Sequence, residues 1–372
     1  MSRFTVPGRS VLLICSKVTN SDGVGRLAIS LRACFTDAGY SVELLTAEEK
    51  SIIGKVQTIC RKYWMSHLFD IMFMIVSEIL RVTFYRSYIT VSPSVVCAFG
   101  TDQIHFSSCH LHSLLVANER WKLFFSPRNL SYVLIEYCQY KFCKHAIFIS
   151  HQEKCQFEMY YGHRSRLATV IHPVLSEIAF KKGHVDQLFG SNFFEKKVNR
   201  CLFIGYNFRI KGLSIAQMAL RNTDYILDII GQDKRYKNDC ESSNESFLGS
   251  IIFDEIDWSS YGFFIFPSHS DAYAFVVQEA VRNGLIPICS SQAGASEVLY
   301  NSGLTECVIK QNTPVMPAEF PEIASSYALC LSRWNKLSRR PKNYDVSTSD
   351  IYSTADYSTR ILGALNLKKR GW

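Results

Sequence analysis

The sequence lacks several signals that would each place it in a particular class of protein. Its 372 residues contain no uninterrupted run of about 20 apolar residues, the length that a helix needs to span a bilayer. The 13 cysteines are scattered and form no C-x-x-C pair, which indicates neither a disulfide framework nor a zinc site. No G-x-G-x-x-G follows the first predicted strand, and this disfavours a dinucleotide oxidoreductase. We expect reduced thiols that serve as small core residues.

Composition and charge fit a globular protein with an anionic partner. The apolar fraction is 47%, the charged fraction is 20% and the formal net charge is +8. The N-terminal residues show no cleavage region of a signal peptide, so we expect a cytoplasmic protein. The most apolar stretch, His67 to Tyr85, is interrupted by Asp70, Glu78 and Arg81 and predicts a buried or interfacial helix.

The first half of the chain predicts an open α/β domain. The apolar run Val11 to Cys15 is typical of a buried parallel strand, and Leu27 to Ala38 follows it with helical spacing. Ser41 to Thr46 resumes strand character, which completes a βαβ unit. Further strands are predicted at Val95 to Phe99, Ala146 to Ser150 and Thr169 to Ile171.

A second α/β alternation follows a polar, basic stretch around Ser176 to Asn199. Strands are predicted at Cys201 to Ile204, Tyr225 to Ile230, Phe263 to Phe266 and Ile286 to Ser290. We therefore predict two Rossmann-like domains, residues 1–175 and 198–349, with a C-terminal helix at about 350–372 that packs back on the first domain.

The most informative segment starts at Pro267 and runs through Asp271, Glu279 and the glycine loop at Gly294. An acid after a strand, a second acid eight positions later in the next helix, and then a glycine, a strand and a glycine loop resemble the carboxylate-x7-carboxylate signature of retaining GT-B glycosyltransferases. The resemblance is to the group 1, or family 4, type that includes bacterial lipopolysaccharide core glucosyltransferases. It implies a GT-B fold, with two Rossmann-like domains that face each other across a cleft.

The resemblance also assigns the donor-binding residues. Glu279 is expected to accept the ribose hydroxyls, and Asp271 to lie beside the donor sugar and its leaving phosphate. The start of the helix at Ala274, Phe275 and Val276 offers free N–H groups to a diphosphate. Two residues depart from the family, because Asp271 is usually Glu and Ala274 is usually Gly. The alternative is that Asp271 merely caps the helix and Glu279 is a surface acid.

Cations are expected after the first strand of the second half, in the segment from Phe203 to Gly212. The family places Lys211 and an arginine, here Arg209, where they stabilise the charge of the departing nucleotide diphosphate without a metal. Gly205 in the same segment is expected to line the donor site. Solvated loop charges are the alternative for both cations.

In the first half, Gly23 and Gly25 follow the first strand and resemble the loop that faces the donor phosphate. A tight βα turn without a ligand is the alternative.

Asp102 resembles the aspartate that opens a catalytic loop in the core glucosyltransferases, and His110 or His112 would contact the transferred sugar. No paired carboxylate or cysteine accompanies these histidines at ligand spacing, so no metal site is predicted.

Cations and aromatic residues alternate between Asn118 and His145. Arg120, Trp121, Lys122 and Arg128 therefore predict contact with an anionic membrane surface. An ordinary helix with an aromatic core stripe is the alternative.

The resemblance implies a retaining hexosyltransferase that needs no metal ion. It would move a hexose from a nucleotide-sugar, with UDP as the expected nucleotide, to a saccharide or glycolipid acceptor such as lipopolysaccharide core or a surface polysaccharide. No cofactor and no nucleic acid partner are expected. A nucleotide-sugar epimerase on the same fold and a degenerate, non-catalytic scaffold are the alternatives.

Overall fold

The protein divides into two compact units, which are described separately. The computed structural model describes residues 10–16, 18, 23–47, 66–117, 125–164, 167–173, 199–233, 244–301, 304–312, 316–336 and 354–366. The first unit comprises Met1–Ala179 and Ser353–Trp372, and the second comprises Phe180–Tyr352. The last helix of the chain therefore belongs to the first unit.

The first unit is built on a six-stranded parallel sheet with the order β2-β1-β3-β4-β5-β6. Its strands are β1 (Ser10–Ile14), β2 (Ser41–Leu45), β3 (Ile89–Ser92), β4 (Gln103–Phe106), β5 (His145–Phe148) and β6 (Ala168–Val170). Its helices are α1 (Gly23–Asp37), α2 (Ser66–Thr83), α3 (His110–Val116), α4 (Pro127–Phe142), α5 (His151–Tyr161) and, from the C-terminus, α11 (Thr354–Asn366).

The second unit repeats this architecture around a sheet with the order β12-β11-β10-β7-β8-β9, again all parallel. Its strands are β7 (Arg200–Tyr206), β8 (Ile226–Gln232), β9 (Glu245–Gly249), β10 (Phe263–Phe266), β11 (Ile286–Ser290) and β12 (Val308–Ile309). Its helices are α6 (Phe208–Lys211), α7 (Leu213–Leu220), α8 (Phe275–Arg282), α9 (Ala295–Asn301) and α10 (Phe320–Lys336).

The strand order places a topological switch point between β7 and β10. The chain leaves β7 toward β8 and β9 on one side, and later returns to place β10 on the other side of β7. Loops that follow these two strands diverge to opposite sides of the sheet, and they leave a crevice at the carboxyl ends where ligands bind in open α/β sheets. Lys211 follows β7 and Asp271 follows β10, so both residues belong to this crevice.

The apolar strand runs are buried because helices cover the sheets. In β1, Val11 to Ile14 are fully buried, and Phe264, Ile265 and Phe266 of β10 are buried as well. Continuous burial of neighbouring positions means that both faces of each sheet are covered, which is the usual situation of a parallel sheet.

The strand predicted at Val95 to Phe99 is wrong. Residues 93–97 form bends, and the strands of this region are β3 and β4 on either side of it. The hydrophobic core of the first unit includes Val95, Val96, Cys97 and Ala98. This run is apolar because its residues are buried, although they do not form a strand. The true strands carry buried polar residues; the Ser92 hydroxyl, for example, donates to the Ile14 carbonyl at 2.8 Å.

We expect Gly231→Ala to destabilise the protein by more than about 3 kcal/mol. Gly231 has φ +142°, and a Cβ there would lie 1.8 Å from the Gly205 carbonyl oxygen. Gly363 in α11 is the matched control, because a Cβ there meets no atom within 4 Å. Gly363→Ala should stabilise the protein by about 0.5–1 kcal/mol through helix propensity. Chemical denaturation measures both changes, and equal effects would contradict the close approach of β8 to β7.

Candidate active site

The short helix α6 carries Lys211 to the end of β10. Phe208 N donates to Asp233 Oδ2 at 2.9 Å, which ties the start of α6 to the end of β8. Gly212 ends α6 with φ 74°, and a Cβ at this position would lie 2.1 Å from the Pro267 carbonyl oxygen. Only glycine allows this approach, so the sequence step Lys211-Gly212 places the lysine beside the loop after β10.

The loop after β10 is hydrogen-bonded to α6. His269 N donates to the Ile210 carbonyl at 2.8 Å, and the Ser268 hydroxyl donates to the same oxygen at 3.3 Å. Lys211 Nζ then forms an ion pair with Asp271 Oδ2, and both side chains are about four-fifths buried. The two residues are 60 positions apart in sequence, and the switch point of the sheet brings them together.

Asp271 also shapes the turn that leads into α8. Its Oδ1 accepts hydrogen bonds from Tyr273 N at 3.1 Å and from Ala274 N at 2.7 Å. Ala274 adopts a left-handed conformation with φ 64° and ψ 66° and caps α8. The amides of Phe275 and Val276 open the helix, where N–H groups have no intrahelical acceptor and the helix dipole favours an anion.

Glu279 lies inside α8 and is 3% exposed. It is the second acid of the predicted pair, one helical turn beyond the residues that open the helix. The structure thus places Gly205, Lys211, Asp271, Ala274, Phe275 and Val276 around the carboxyl ends of β7 and β10, and Glu279 on the helix that starts there. Their binding and catalytic roles stay predictions.

Arg209 is exposed on α6, and its charge acts on a buried neighbour. Burial, and secondly the positive charge of Arg209, lower the pKa of His269 to about 4, so this imidazole is neutral at physiological pH. The His269 ring stacks on Phe320 at 5.5 Å between ring centroids. The structure therefore brings Arg209 near His269, and no described hydrogen bond or ion pair joins it to Asp271.

Two residues of this region were missed by the sequence analysis. Asp233 follows β8 and accepts the hydrogen bond from Phe208 N. An acid directly after a buried strand was the available signal for it. His269, two residues before Asp271, stacks in the core of the loop and had no signal beyond its position in the motif.

In the first unit, Gly23 and Gly25 lie in the first turn of α1, after the carboxyl end of β1. Gly23 is exposed and Gly25 is buried. The helix therefore begins with glycine at the same kind of edge as the site of the second unit, and their contact with a donor phosphate stays a prediction.

Asp102 lies at the opposite edge of the first sheet from the one expected. The prediction placed it after a strand ending at Phe99, whereas it directly precedes β4. Its Oδ2 accepts hydrogen bonds from the amide and hydroxyl of Thr90, both at 3.0 Å, and its Oδ1 pairs with Lys144 Nζ at 2.7 Å. These contacts join the amino-terminal ends of β3, β4 and β5, and they give Asp102 a role in holding the sheet together.

His110 and His112 lie at the start of α3, beyond the carboxyl end of β4. His110 Nε2 contacts Asn129 Oδ1 at 3.2 Å, and His112 Nδ1 contacts the Tyr160 hydroxyl at 3.1 Å. Burial lowers the pKa of both rings, that of His112 to about 4. His112 is almost completely buried, so His110 is the more accessible of the two for the predicted sugar contact.

The buried carboxylate of Glu136 holds the start of α3 and was also missed. It accepts hydrogen bonds from His110 N at 2.8 and 3.0 Å and from the Tyr161 hydroxyl at 2.8 Å. Burial raises the pKa of Glu136 to about 8, although the hydrogen bonds from these donors lower it. Its proton therefore leaves near physiological pH, and no sequence signal distinguishes it from a surface acid of α4.

The remaining predicted residues concern the membrane and metals. Arg128 is exposed in the first turn of α4, whereas Arg120, Trp121 and Lys122 lie outside the described residues. Within the described ranges, no group of three or more His, Cys, Asp or Glu side chains could hold a metal ion.

Comparison with solved structures identifies the fold. The lipopolysaccharide glycosyltransferase WaaG matches 95% of this chain and 100% of its own, with TM-score 0.60 and 16% identity. HepE of Anabaena, in complex with UDP and glucose, matches 96% and 99%, with TM-score 0.59 and 16% identity. Sucrose-phosphate synthase of Thermosynechococcus elongatus matches 96% and 98%, with TM-score 0.61 and 14% identity.

The two Rossmann-like units are those of the GT-B fold, as the sequence predicted. At these identities the likeness establishes the fold. No family model and no curated protein sequence matches the chain.

We expect Ala274→Gly to stabilise the protein by about 0.5–1 kcal/mol, because a left-handed conformation is costly for every residue with a Cβ. Ala280→Gly in the same helix is the matched control and should destabilise it by about 1 kcal/mol, because Ala280 lies in the helix interior. Thermal and chemical unfolding report both signs. A loss of stability in both variants would show that Ala274 does not adopt the left-handed conformation.

Proposed function

We propose that the protein is a retaining glycosyltransferase that moves a hexose from a UDP-sugar to a saccharide or glycolipid acceptor. Lipopolysaccharide core or a surface polysaccharide is the class of acceptor that this proposal names. The observation that carries it is the meeting of Lys211, Asp271 and the start of α8 at the switch point of the second sheet. A cation and free amides at one edge of a parallel sheet suit a diphosphate.

The fold neighbours support the choice of donor and acceptor. HepE was crystallised with UDP-glucose and with UDP. WaaG is described as involved in lipopolysaccharide biosynthesis, and WaaB, with TM-score 0.53, as a lipopolysaccharide outer core galactosyltransferase. A chain with the same fold and a diphosphate-suited crevice is reasonably assigned the same class of reaction.

The residues of the second unit suggest how transfer is assisted. Lys211 and the amides of Phe275 and Val276 hold the donor diphosphate, and Arg209 adds a second cation from α6. Charge develops on the departing diphosphate as the glycosidic bond breaks, and fixed cations and amides lower the barrier without a metal ion. The leaving phosphate accepts the proton of the acceptor hydroxyl on the same face of the sugar, so the anomeric configuration is retained.

Glu279 is the proposed acceptor for the ribose hydroxyls of UDP. It is a buried carboxylate on the helix whose first turn would hold the diphosphate, and the ribose is attached directly to that diphosphate.

The conformation of Ala274 favours an active enzyme over a degenerate scaffold. Ala274 stands where the family has glycine, and it still adopts the left-handed conformation that glycine would adopt. The turn that presents the first amides of α8 is therefore kept. An epimerase would require the same nucleotide site, and transfer to an added acceptor distinguishes the two activities.

We expect Glu279→Ala to weaken UDP binding by about 100-fold, because two hydrogen bonds to a charged acceptor are lost. Glu279→Gln keeps the side-chain volume and should also weaken binding, which separates recognition from packing. Glu322→Ala on the exposed side of α10 is the matched control and should bind like the wild type. Isothermal calorimetry measures the affinities, and wild-type affinity in Glu279→Ala would contradict the ribose contact.

An anionic membrane surface is the second partner that we propose. No described helix is long and apolar enough to cross a membrane. Helix α2, however, is apolar on two faces, because Phe69 and Phe73 point into the core while Ile71, Ile75 and Ile79 repeat every four residues on the outside. Such an outer stripe is typical of a helix that lies in the membrane interface, and not of a transmembrane helix.

Helix α4 packs beside α2 and has a similar outer stripe formed by Leu130, Leu134 and Tyr137. The side chains of these two stripes are 37–56% exposed. Exposed apolar surface on two neighbouring helices indicates a docking surface.

The charges of this region favour an anionic lipid surface as its occupant. Arg86 and Arg128 are exposed at the ends of α2 and α4. Two acids of these helices are less available, because Glu78 pairs with Arg81 and Glu136 is buried, and the third, Asp70, is only partly exposed. Cations beside apolar side chains suit anionic lipid headgroups, and we propose a cytoplasmic protein bound peripherally to the inner face of the cytoplasmic membrane.

We expect the double variant Ile75→Ser with Ile79→Ser to bind vesicles that contain anionic lipid about tenfold more weakly, because less apolar surface enters the interface. Replacing Arg120, Lys122 and Arg128 should weaken binding to anionic vesicles only. Ile252→Ser, at a site in the second unit that is 66% exposed, is the matched control. Co-sedimentation measures the binding, and unchanged binding of both sets of variants would refute the surface.

A further inference from the structure

Both carboxylate oxygens of Asp271 are occupied by the protein itself. Oδ2 pairs with the Lys211 ammonium, and Oδ1 accepts the amides of Tyr273 and Ala274 at 3.1 and 2.7 Å. The side chain is only 18% exposed. Three of the roughly four acceptor positions of the carboxylate are therefore in use, which leaves a sugar hydroxyl at most one, on Oδ2 beside the Lys211 ammonium.

The backbone of Asp271 is fixed from both sides. Its N–H donates to the Gln292 carbonyl at 3.0 Å, and its carbonyl accepts from Gly294 N at 2.9 Å. Together with the bridge between Asp271 and Ala293, these bonds join the loop after β10 to the loop after β11. With the backbone held there, a short carboxylate reaches the turn and Lys211 at the same time.

Lys211 is held along its whole length. A Cβ at Gly205 would lie 3.0 Å from Lys211 Cγ and 3.2 Å from its Cβ, so the lysine stem packs directly over β7. Its Nζ lies 5.6 Å from the centre of the Phe266 ring, and Asp271 holds the ammonium at its end. A lysine normally has many rotamers, and these contacts select one of them.

We propose that Asp271 is a positioning residue, which acts on the donor through Lys211 and through the turn that opens α8, and accepts no hydroxyl of the donor sugar. The inference rests on the proposed function, because it concerns the same diphosphate site. It assigns donor-sugar recognition to other groups and explains why an aspartate serves where the family uses the longer glutamate.

The two assignments of Asp271 predict opposite effects on ligand affinity. In Asp271→Asn the amide oxygen can still accept the two backbone N–H groups, so the turn is kept while the negative charge is lost. Lys211 is then no longer neutralised, and a diphosphate should bind more tightly by about three- to tenfold. UDP and UDP-glucose should gain equally, because both carry the diphosphate. A direct sugar contact predicts instead that UDP-glucose alone binds more weakly.

The experiment is isothermal calorimetry of the full chain with UDP and with UDP-glucose. Tighter binding of both ligands by Asp271→Asn, with the ratio of their dissociation constants kept within about twofold, supports the inference. Weaker binding of UDP-glucose alone, weaker binding of both ligands, or no change in either overturns it. Asp254→Asn, which removes an exposed acid from the same unit, controls for net charge and should bind like the wild type.

Asp271→Glu separates the charge from the turn. It keeps the charge beside Lys211, so UDP should bind no more tightly than it does to the wild type, and tighter binding would overturn the inference. The longer side chain should lose the two-amide turn, and the thermal midpoint should fall. A wild-type protein that binds neither UDP nor UDP-glucose would overturn the proposed function together with this inference, whereas the wrong response of Asp271→Asn in a protein that binds UDP overturns the inference alone.

Discussion

The close approach of α6 to the end of β10 is the constraint on which the candidate site depends. Gly212 allows the turn after α6 to touch the Pro267 carbonyl, and Gly205 allows the stem of Lys211 to lie on β7. A Cβ at Gly212 would collide with the Pro267 backbone, and a Cβ at Gly205 would push the lysine stem away by a few tenths of an ångström. These two glycines therefore fix the position of the Lys211 ammonium group within the crevice at the carboxyl ends of β7 and β10.

Two aspartate–lysine pairs of the described residues differ in role because of their positions. Asp102 and Lys144 lie at the amino-terminal edge of the first sheet, where the carboxylate also binds Thr90 and ties strands together. Lys211 and Asp271 lie at the carboxyl edge of the second sheet, beside the start of α8. The same pair of side chains ties strands together at one edge and lies beside the start of a helix at the other, because all strands of a parallel sheet share their polarity.

The strands that the sequence predicted are those in which apolar residues form most of the buried positions. β1 and β10 are continuous apolar runs, and the pattern of Val11 to Ile14 was sufficient to locate the first. β3 and β4 instead bury Thr90, Ser92, Gln103 and His105, and a pattern of hydrophobicity cannot recognise a polar residue that is buried. The apolar residues between β3 and β4 are buried, but the chain forms bends there instead of a strand. Apolar character therefore predicted burial correctly in this region and strand formation incorrectly.

The candidate site was predictable where its chemistry is local in sequence and not where it depends on the fold. The interval from Asp271 to Glu279 and the step Lys211-Gly212 are short motifs, whereas the pairing of Lys211 with Asp271, the anchoring of Phe208 by Asp233 and the stacking of His269 on Phe320 join distant segments. Ala274 shows why residue type alone misleads. It stands where the family has glycine, yet the Asp271 carboxylate, through the Ala274 amide, holds it in the left-handed conformation. The shorter acid and the bulkier cap are two separate departures in the sequence, and they form one hydrogen-bonded turn in the structure.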